Sequence, residues 1–226
     1  MKTHFDHLEF YIPDLLERRI LDLGSGRGKF LIDAKSRGVD AKGLELYEEY
    51  IRISHEKAGK TGLTLDIEKG VAEDLPFPDK SFDFVNICEV IEHVESPGKV
   101  LEEVYRVLAN DGQAYLSVPN RFGFKDPHFH LYFVNWLPRR WANSFISIFG
   151  KHKDYSGQAG RQNLTEMHYS TLRKISKLAA QKGFCSVDMR MVKLKRRFPR
   201  IWMFLAPVYI LARTVYFDSF HLMLKK

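Results

Sequence analysis

The sequence predicts an α/β fold with a mostly parallel sheet and helices on both of its faces. Short apolar runs alternate with stretches of helical spacing over the first 120 residues, and this alternation is typical of βαβ units. The first apolar run ends in a glycine-rich turn. With 226 residues, 45% of them hydrophobic and 28% charged, the chain has the composition of an ordinary globular protein. We therefore expect a single domain over residues 1–226.

The elements of the first half are predicted in close succession. The expected strands are 19–23, 39–46, 63–69, 82–88 and 113–118, and the expected helices are 29–36, 47–58 and 97–108. Gly38 closes the first helix. Ser96 and Pro97 open the third as its N-cap and first-turn proline, and residues 110–112 (Asn-Asp-Gly) are expected to stop it. The segment 119–165 is irregular, aromatic and basic, and we interpret it as a lid over the carboxyl ends of the strands.

The last third is expected to complete the sheet. Residues 170–181 have the spacing of an amphipathic helix, and residues 184–191 and 219–224 are expected to be strands. Between these two strands lies an apolar and basic insertion, residues 193–217. Its 12-residue apolar run, 201–212, contains Pro207 and is shorter than the roughly 20 residues that a membrane crossing needs. Two interpretations stay open: a helix in a membrane interface, which the basic residues favour, or a helix packed on the sheet or in a dimer.

The glycine-rich turn predicts a nucleoside site. Its glycines at 24, 26 and 28 let the backbone approach a ligand without an intervening side chain. Glu45 ends the next predicted strand, where a carboxylate can bind both ribose hydroxyls. The dinucleotide fingerprint needs a glycine where this chain has Lys29, which disfavours a nicotinamide cofactor.

Four motifs in order then point to a family. They are Asp-Leu-Gly-Ser-Gly-Arg-Gly at 22–28, Glu45, the run 72–83 and Glu-Val-Ile-Glu-His at 89–93. Over residues 17–120 the sequence resembles the class I S-adenosylmethionine (SAM)-dependent methyltransferases. The resemblance implies a Rossmann-like seven-stranded sheet of order 3-2-1-4-5-7-6, SAM as cofactor, and methyl transfer as the reaction.

The resemblance also implies which residues bind SAM. These residues are Asp22, Gly24, Ser25, Gly26, Gly28, Glu45, Leu46, Ala72, Glu73, Cys88 and Glu89. Asp22 and the glycine turn would hold the methionine end, Glu45 the ribose, and residues 72–73 the adenine. Cys88 and Glu89 would lie beneath the sulfonium. Many relatives carry an aspartate for the adenine amine where this chain has Val71, so adenine recognition would rest on backbone groups, Glu73 or Asp74.

The Glu-Val-Ile-Glu-His motif contains the best candidates for chemistry. Glu92 and His93 follow the central strand, and a histidine is a suitable base for an acceptor hydroxyl. His128 and His130 of the lid are further catalytic candidates, and His168, Tyr169, Tyr11 and Tyr47 are candidates to line the pocket. The motif also resembles the divalent-metal site of some O-methyltransferases, with Glu89, Glu92 and His93 as ligands for Mg²⁺ or another divalent cation. His128 or His130 could complete such a site. A third interpretation is that Glu92 and His93 only cap the following turn.

Charge and cysteine content suggest partners and location. The net charge of +7 favours anionic partners. Cys88 and Cys185 match no metal or disulfide spacing, which indicates reduced thiols in the cytoplasm. The first residues lack the apolar run of a signal peptide. We therefore expect a cytoplasmic monomer or homodimer, with peripheral membrane contact through residues 193–217.

Three functions remain open from sequence. The first is O-methylation of a small or lipid-linked acceptor, such as a quinone precursor or a glycan sugar. The second is RNA 2′-O-methylation, although the sequence has no separate RNA-binding motif and a nucleic-acid partner is not expected. The third is a catalytically silent SAM-binding or scaffold protein, which Val71 makes conceivable.

Overall fold

A seven-stranded sheet forms the centre of the molecule, whose computed structural model describes residues 3–149 and 164–226. The strand order is β3-β2-β1-β4-β5-β7-β6. The strands are β1 (Ile20–Leu23), β2 (Ala41–Glu45), β3 (Ile67–Lys69), β4 (Phe82–Ile87), β5 (Leu108–Pro119), β6 (Cys185–Asp188) and β7 (Ser219–Lys225). The predicted fold class and strand order are confirmed.

Eight α-helices accompany the strands in the described ranges. They are α1 (His4–Glu9), α2 (Lys29–Ser36), α3 (Glu48–Gly59), α4 (Pro97–Val107), α5 (Arg139–Phe149), α6 (Leu172–Gln181), α7 (Met189–Arg197) and α8 (Trp202–Ala212). Helix α4 begins as predicted, because the Ser96 hydroxyl accepts a bond from the Lys99 N–H and Pro97 occupies the first turn.

Strand direction brings the candidate residues to one edge of the sheet. Strands β1 to β5 run parallel, whereas β7 pairs antiparallel with both β5 and β6. Asp22 of β1 lies beside Asn86 of β4, and Ser117 of β5 lies opposite His221 of β7. Because parallel strands end at the same edge, the residues that follow β1, β2 and β4 meet there.

Two apolar layers hold the helices to the sheet. One contains α4 and α6, whose Val104 and Ile175 are buried against residues of β4, β5 and β7. The other contains α1 and α2, through Phe5 and Leu31 among others. Both faces of the parallel strands are therefore covered, as expected for near-continuous apolar strands.

Several predicted boundaries in the first half are wrong. The third strand is limited to Ile67–Lys69, and β5 begins at Leu108, directly after α4. Its register with β4 shifts between the partners of Phe82 and Phe84, so residues 110–112 interrupt the pairing rather than precede the strand. Helix α1 was not predicted from sequence. A capping box between Thr3 and Asp6 starts it.

The second half differs more. The predicted strand 184–191 ends at Asp188, whose carboxylate accepts bonds from the Arg190 and Met191 N–H groups and caps α7. The insertion 193–217 thus continues α7 and adds α8. The predicted lid contains a regular helix, α5. Residues 150–163 of the lid lie outside the described ranges.

Two further observations concern cysteines and membranes. Both cysteines are free, Cys88 half-buried and Cys185 exposed. Within residues 3–149 and 164–226, no helix has the length and apolar character to cross a bilayer.

Candidate active site

The glycine turn forms an open backbone surface after β1. Gly24, Gly26 and Gly28 all have positive φ, between 53° and 74°. A Cβ on Gly26 would meet no heavy atom closer than 4.0 Å, whereas one on Gly28 would lie 2.8 Å from the Cβ of Ser54. The turn is therefore packed from behind by α3 at Gly28 and open at Gly26, which is the form of a backbone cradle.

Glu45 is tied to this turn. Its Oε2 accepts a bond from the Gly26 N–H at 2.8 Å, and its Oε1 accepts one from the Tyr47 N–H at 3.0 Å. The side chain is only 5% exposed. Each oxygen keeps a second acceptor site, so the carboxylate is held in place and can still accept bonds from two hydroxyls. Leu46, which follows, is about half exposed.

Asp22 belongs to a buried hydrogen-bonded chain. The Asn86 amide donates to Asp22 Oδ1 at 2.7 Å, and the His4 Nε2 lies 3.0 Å from Asn86 Oδ1. Burial raises the pKa of Asp22 to about 7, against a smaller opposite effect of the Asn86 hydrogen bond. Helix α1 thus carries His4 to the edge of the predicted cofactor site, which the sequence did not indicate.

The segment predicted to border adenine is fixed by other parts of the chain. Oε1 of Glu73 accepts bonds from the Glu95 and Ser96 N–H groups, so this oxygen is occupied at the start of α4. Arg106 donates to the carbonyls of Leu75 and Phe77. Ala72 packs against the core.

Cys88 and Glu89 follow β4, and the backbone turns sharply at Glu89. Glu89 has a φ of 57°, and its N–H donates to the Ser117 hydroxyl at 2.8 Å. Burial raises the pKa of the Cys88 thiol to about 12. Burial therefore favours the neutral thiol of Cys88, which disfavours a nucleophilic role.

Glu92, His93 and His128 converge beside this turn. One ligand atom from each lies within 4.8 Å of the others. Oε1 of Glu92 lies 3.4 Å from Nε2 of His128 and 4.0 Å from Nε2 of His93. Glu92 is fully buried, and neither of its side-chain oxygens has a hydrogen-bond partner within the described residues. An unpartnered buried carboxylate is costly, which argues against a purely capping role.

Residues of the predicted lid fix the position of His128. Oδ1 of Asp126 accepts bonds from the N–H groups of His128 and Phe129. The Nδ1 of His128 lies 2.8 Å from the Tyr169 hydroxyl. The His168 N–H donates to the Glu92 carbonyl at 2.9 Å. The segment that follows the predicted lid is thereby joined to the motif after β4.

Some predicted residues do not join this cluster. His130 is exposed in a left-handed turn, and its N–H donates to the Asp126 carbonyl. Glu89 borders the same cavity as Glu92 but does not belong to the group of three ligand atoms that the described residues form. The Tyr11 hydroxyl donates to the Met189 carbonyl instead, and His168 contributes its backbone while its side chain is exposed.

His221 is a site residue that the sequence did not reveal. A cavity of about 60 Å³ is lined by Cys88, Glu89, Glu92, Ser117, Pro119, Pro127, His128, Ser219 and His221. The Nδ1 of His221 lies 2.5 Å from the Tyr115 hydroxyl. Burial lowers the pKa of His221 to about 3, so the ring is neutral. Only the antiparallel register of β7 against β5 brings it here.

Comparison with known proteins identifies the family. A family model described as "Methyltransferase domain" matches residues 21–116. A ubiquinone biosynthesis O-methyltransferase of Azorhizobium caulinodans is 30% identical over 188 residues, which cover 78% of this chain and 72% of that protein. The chain belongs to the class I SAM-dependent methyltransferase family. SAM is the methyl donor of this family.

Other relatives match a shorter part of this chain. A demethylmenaquinone methyltransferase of Deinococcus radiodurans is 34% identical over 126 residues, 54% of this chain and 52% of that protein. The matched part spans about half the length of this and two further curated relatives. A crystal structure of a SAM-dependent methyltransferase from Mesorhizobium loti has a TM-score of 0.63 and 15% identity, covering 98% of this chain and 97% of that one. It supports the fold.

Proposed function

We propose that this protein transfers the methyl group of SAM to a hydroxyl oxygen of a small or lipid-linked acceptor, such as a quinone precursor or a glycan sugar. The observation that carries the proposal is the group formed by buried Glu92, buried His128 and half-buried His93 beside the predicted sulfonium position. Methyl transfer to oxygen needs alignment of the hydroxyl with the methyl group and removal of the hydroxyl proton. The names of the relatives from Azorhizobium and Deinococcus agree with a quinone-type acceptor.

SAM fits the edge of the sheet. Asp22 and the turn at residues 24–28 would hold the methionine end, since Gly26 leaves the backbone open. Glu45 would bind the ribose hydroxyls, because each of its oxygens keeps a free acceptor site. Residues 72–73 would border the adenine, where Val71 supplies no polar group and one oxygen of Glu73 is already occupied. Adenine recognition would therefore rest on backbone groups, Glu73 or Asp74.

The same group of three side chains fits a divalent cation. If Nδ1–H of His128 donates to the Tyr169 hydroxyl, 2.8 Å away, Nε2 carries a lone pair and faces Oε1 of Glu92, which has no hydrogen-bond partner within the described residues. Two lone pairs facing each other at 3.4 Å need a proton or a cation between them. Tyr169 would then orient the ligand ring, as outer hydrogen-bond partners of metal-bound histidines do. A cation held by these residues would lower the pKa of an acceptor hydroxyl.

The activity is tested with the full chain and methyl-labelled SAM. Labelled SAM is incubated with polyhydroxylated quinone precursors, with a lipid extract that contains lipid-linked sugars, and separately with RNA. We expect label on a hydroxyl oxygen of a phenol or sugar. Label only in RNA, or tight SAM binding with no transfer to any acceptor, would overturn the proposal in favour of the second or third function.

The cation is tested independently of turnover. Binding of Mn²⁺ to the metal-stripped protein is followed by electron paramagnetic resonance, for the wild type, Glu92→Gln and a control, Glu95→Gln. Glu95 lies three residues further along and is exposed. We expect binding to weaken at least tenfold in Glu92→Gln alone. Equal Mn²⁺ binding by all three proteins would exclude this site and leave Glu92 as a proton acceptor.

A further inference from the structure

Helix α8 exposes an apolar surface. It contains no charged residue between Trp202 and Ala212, and Ala206 is its only buried residue. Met203, Phe204, Val208 and Leu211 are between 66% and 80% exposed. Contiguous apolar surface of this kind is uncommon on a soluble protein and marks an interaction site.

The position of α8 is fixed by polar contacts at its inner side. The Tyr209 hydroxyl donates to both carboxylate oxygens of Asp188, and Arg213 forms an ion pair with the same carboxylate at 3.2 Å. Beneath α8 lies a cavity of about 720 Å³ that reaches Leu172 of α6 and Phe220 of β7. The apolar outer residues are therefore held away from the sheet, on a helix that is anchored to it.

Uncompensated cations border this surface. Residues 189–217 contain seven Lys or Arg residues and no Asp or Glu. Within the described part of the chain, none of Lys193, Lys195, Arg197 and Arg200 lies within salt-bridge distance of a carboxylate. The Lys195 ammonium lies 5.2 Å from the Trp202 ring centroid, so the charge begins where the apolar helix begins.

We propose that α7 and α8 bind the surface of a membrane that contains anionic lipids. The outer residues of α8 enter the boundary between headgroups and acyl chains, and the cations of residues 193–200 bind lipid phosphates. An 11-residue helix is only about 17 Å long, so it lies in the interface and does not cross it. Pairing of two copies through this surface would bring like charges together, because the segment has no carboxylate to oppose its cations.

The same surface adjoins the lid. The Phe124 N–H donates to the Val215 carbonyl at 2.7 Å, and the Asn120 amide donates to the Thr214 carbonyl. Phe122, Phe133 and Trp136 of the lid are each about half exposed. Membrane contact through α8 therefore places the loop that leads to His128 next to the lipid surface. The proposal concerns binding and holds whether or not methyl transfer is shown.

Vesicle binding tests the proposal with the full chain. The protein is sedimented with vesicles of phosphatidylcholine alone and with vesicles that also contain one quarter phosphatidylglycerol. We expect binding to the anionic vesicles to be at least tenfold tighter and to weaken in high salt. Phe204→Glu with Leu211→Glu is expected to reduce it at least a hundredfold, and Arg197→Glu with Arg200→Glu at least tenfold, since each cation near an anionic surface contributes about fivefold.

A charge-matched variant provides the control. Lys57→Glu with Lys60→Glu changes the net charge equally at the C-terminal end of α3. This helix packs on β2 and β3, at the opposite edge of the sheet from β6. The control variant is expected to bind within about threefold of the wild type. If this variant lost as much vesicle affinity as the variant with Arg197→Glu and Arg200→Glu, the loss would be explained by net charge alone and the proposal would be overturned. The proposal would also be overturned if the wild type did not bind vesicles but formed a dimer in sedimentation velocity, and the variant with Phe204→Glu and Leu211→Glu was monomeric. Circular dichroism and melting temperature establish that each variant is folded.

Discussion

His128 and Glu92 face each other inside the protein, with Nε2 of the imidazole 3.4 Å from Oε1 of the carboxylate. The two residues are 36 positions apart, and they come from the lid and from the motif after β4. Both side chains are almost completely buried, and the facing atoms have no hydrogen-bond partner within the described residues. This pair is the basis of the proposed chemistry, because it can hold either a proton or a cation beside an acceptor hydroxyl.

Glu92→Gln is expected to lower kcat for methyl transfer at least a hundredfold, since loss of a positioned base typically has an effect of that size. The SAM dissociation constant should change less than threefold, because Glu92 is not among the residues proposed to contact the cofactor. Steady-state assays of methyl transfer measure kcat, and isothermal titration calorimetry measures the SAM dissociation constant. Glu95→Gln should retain wild-type values in both, and a wild-type kcat in Glu92→Gln would remove this residue from the mechanism.

Glu45→Gln is expected to weaken SAM binding 10- to 100-fold. The amide has one acceptor oxygen where the carboxylate has two, so one of the two ribose hydroxyls proposed to bind Glu45 loses its acceptor. A lost hydrogen bond to a charged group costs roughly 1–3 kcal/mol. Calorimetric titration with SAM measures the change. The control is Glu48→Gln, which removes only an exposed ion pair with Lys69 and should bind SAM as the wild type does. Unaltered SAM affinity in Glu45→Gln would place the ribose elsewhere.

Gly28→Ala is expected to destabilise the protein more than Gly38→Ala. Both glycines have a φ near 75°, so each alanine costs about 1–2 kcal/mol from backbone conformation alone. A Cβ at Gly38 meets nothing within 4 Å, whereas one at Gly28 lies 2.8 Å from Ser54. The additional cost at Gly28 should be about 1–3 kcal/mol. Urea unfolding measures the loss in free energy of unfolding for both variants. Equal losses would mean that α3 shifts to make room for the methyl group at position 28.

Asp22 makes stability depend on pH. Its pKa rises from 3.8 in the unfolded chain to about 7 in the folded one, chiefly because it is buried. The folded state therefore holds a proton that the unfolded state has lost, so the contribution is complete below pH 4 and disappears as pH rises to about 7. The decline amounts to roughly 3–4 kcal/mol. It is obtained as the difference in free energy of unfolding between wild type and Asp22→Asn across this pH range.

The exposed Asp40→Asn serves as the reference for Asp22→Asn. This variant should run parallel to the wild type at every pH, because the residue lies at the surface. The Asp22→Asn variant, in contrast, should gain stability relative to the wild type as pH rises from 4 to 7. A constant difference between the two proteins over that range would mean that Asp22 ionises at its ordinary pKa despite its burial.

The amino-acid sequence determined the kinds of elements in the sheet, their order and the edge at which the site forms. Apolar periodicity, the Ser96-Pro97 start of α4 and the glycine turn are local signals that residues close in the chain provide. It also placed Glu92, His93 and His128 among the candidates. It did not determine the extent of β3, the change from strand to helix at Asp188, or helix α1.

Only the tertiary structure decided which candidates meet. The Asp126 turn directs His128 inward and leaves His130 exposed, and the register of β5 with β7 brings His221 beside Tyr115. Helix α1 carries His4 to Asn86. The contacts of His221 and His4 join residues far apart in the chain, whereas the Asp126 turn is local. These arrangements depend on turn geometry and strand register. Neither leaves a periodic trace in the sequence, because both are set by packing of the whole chain.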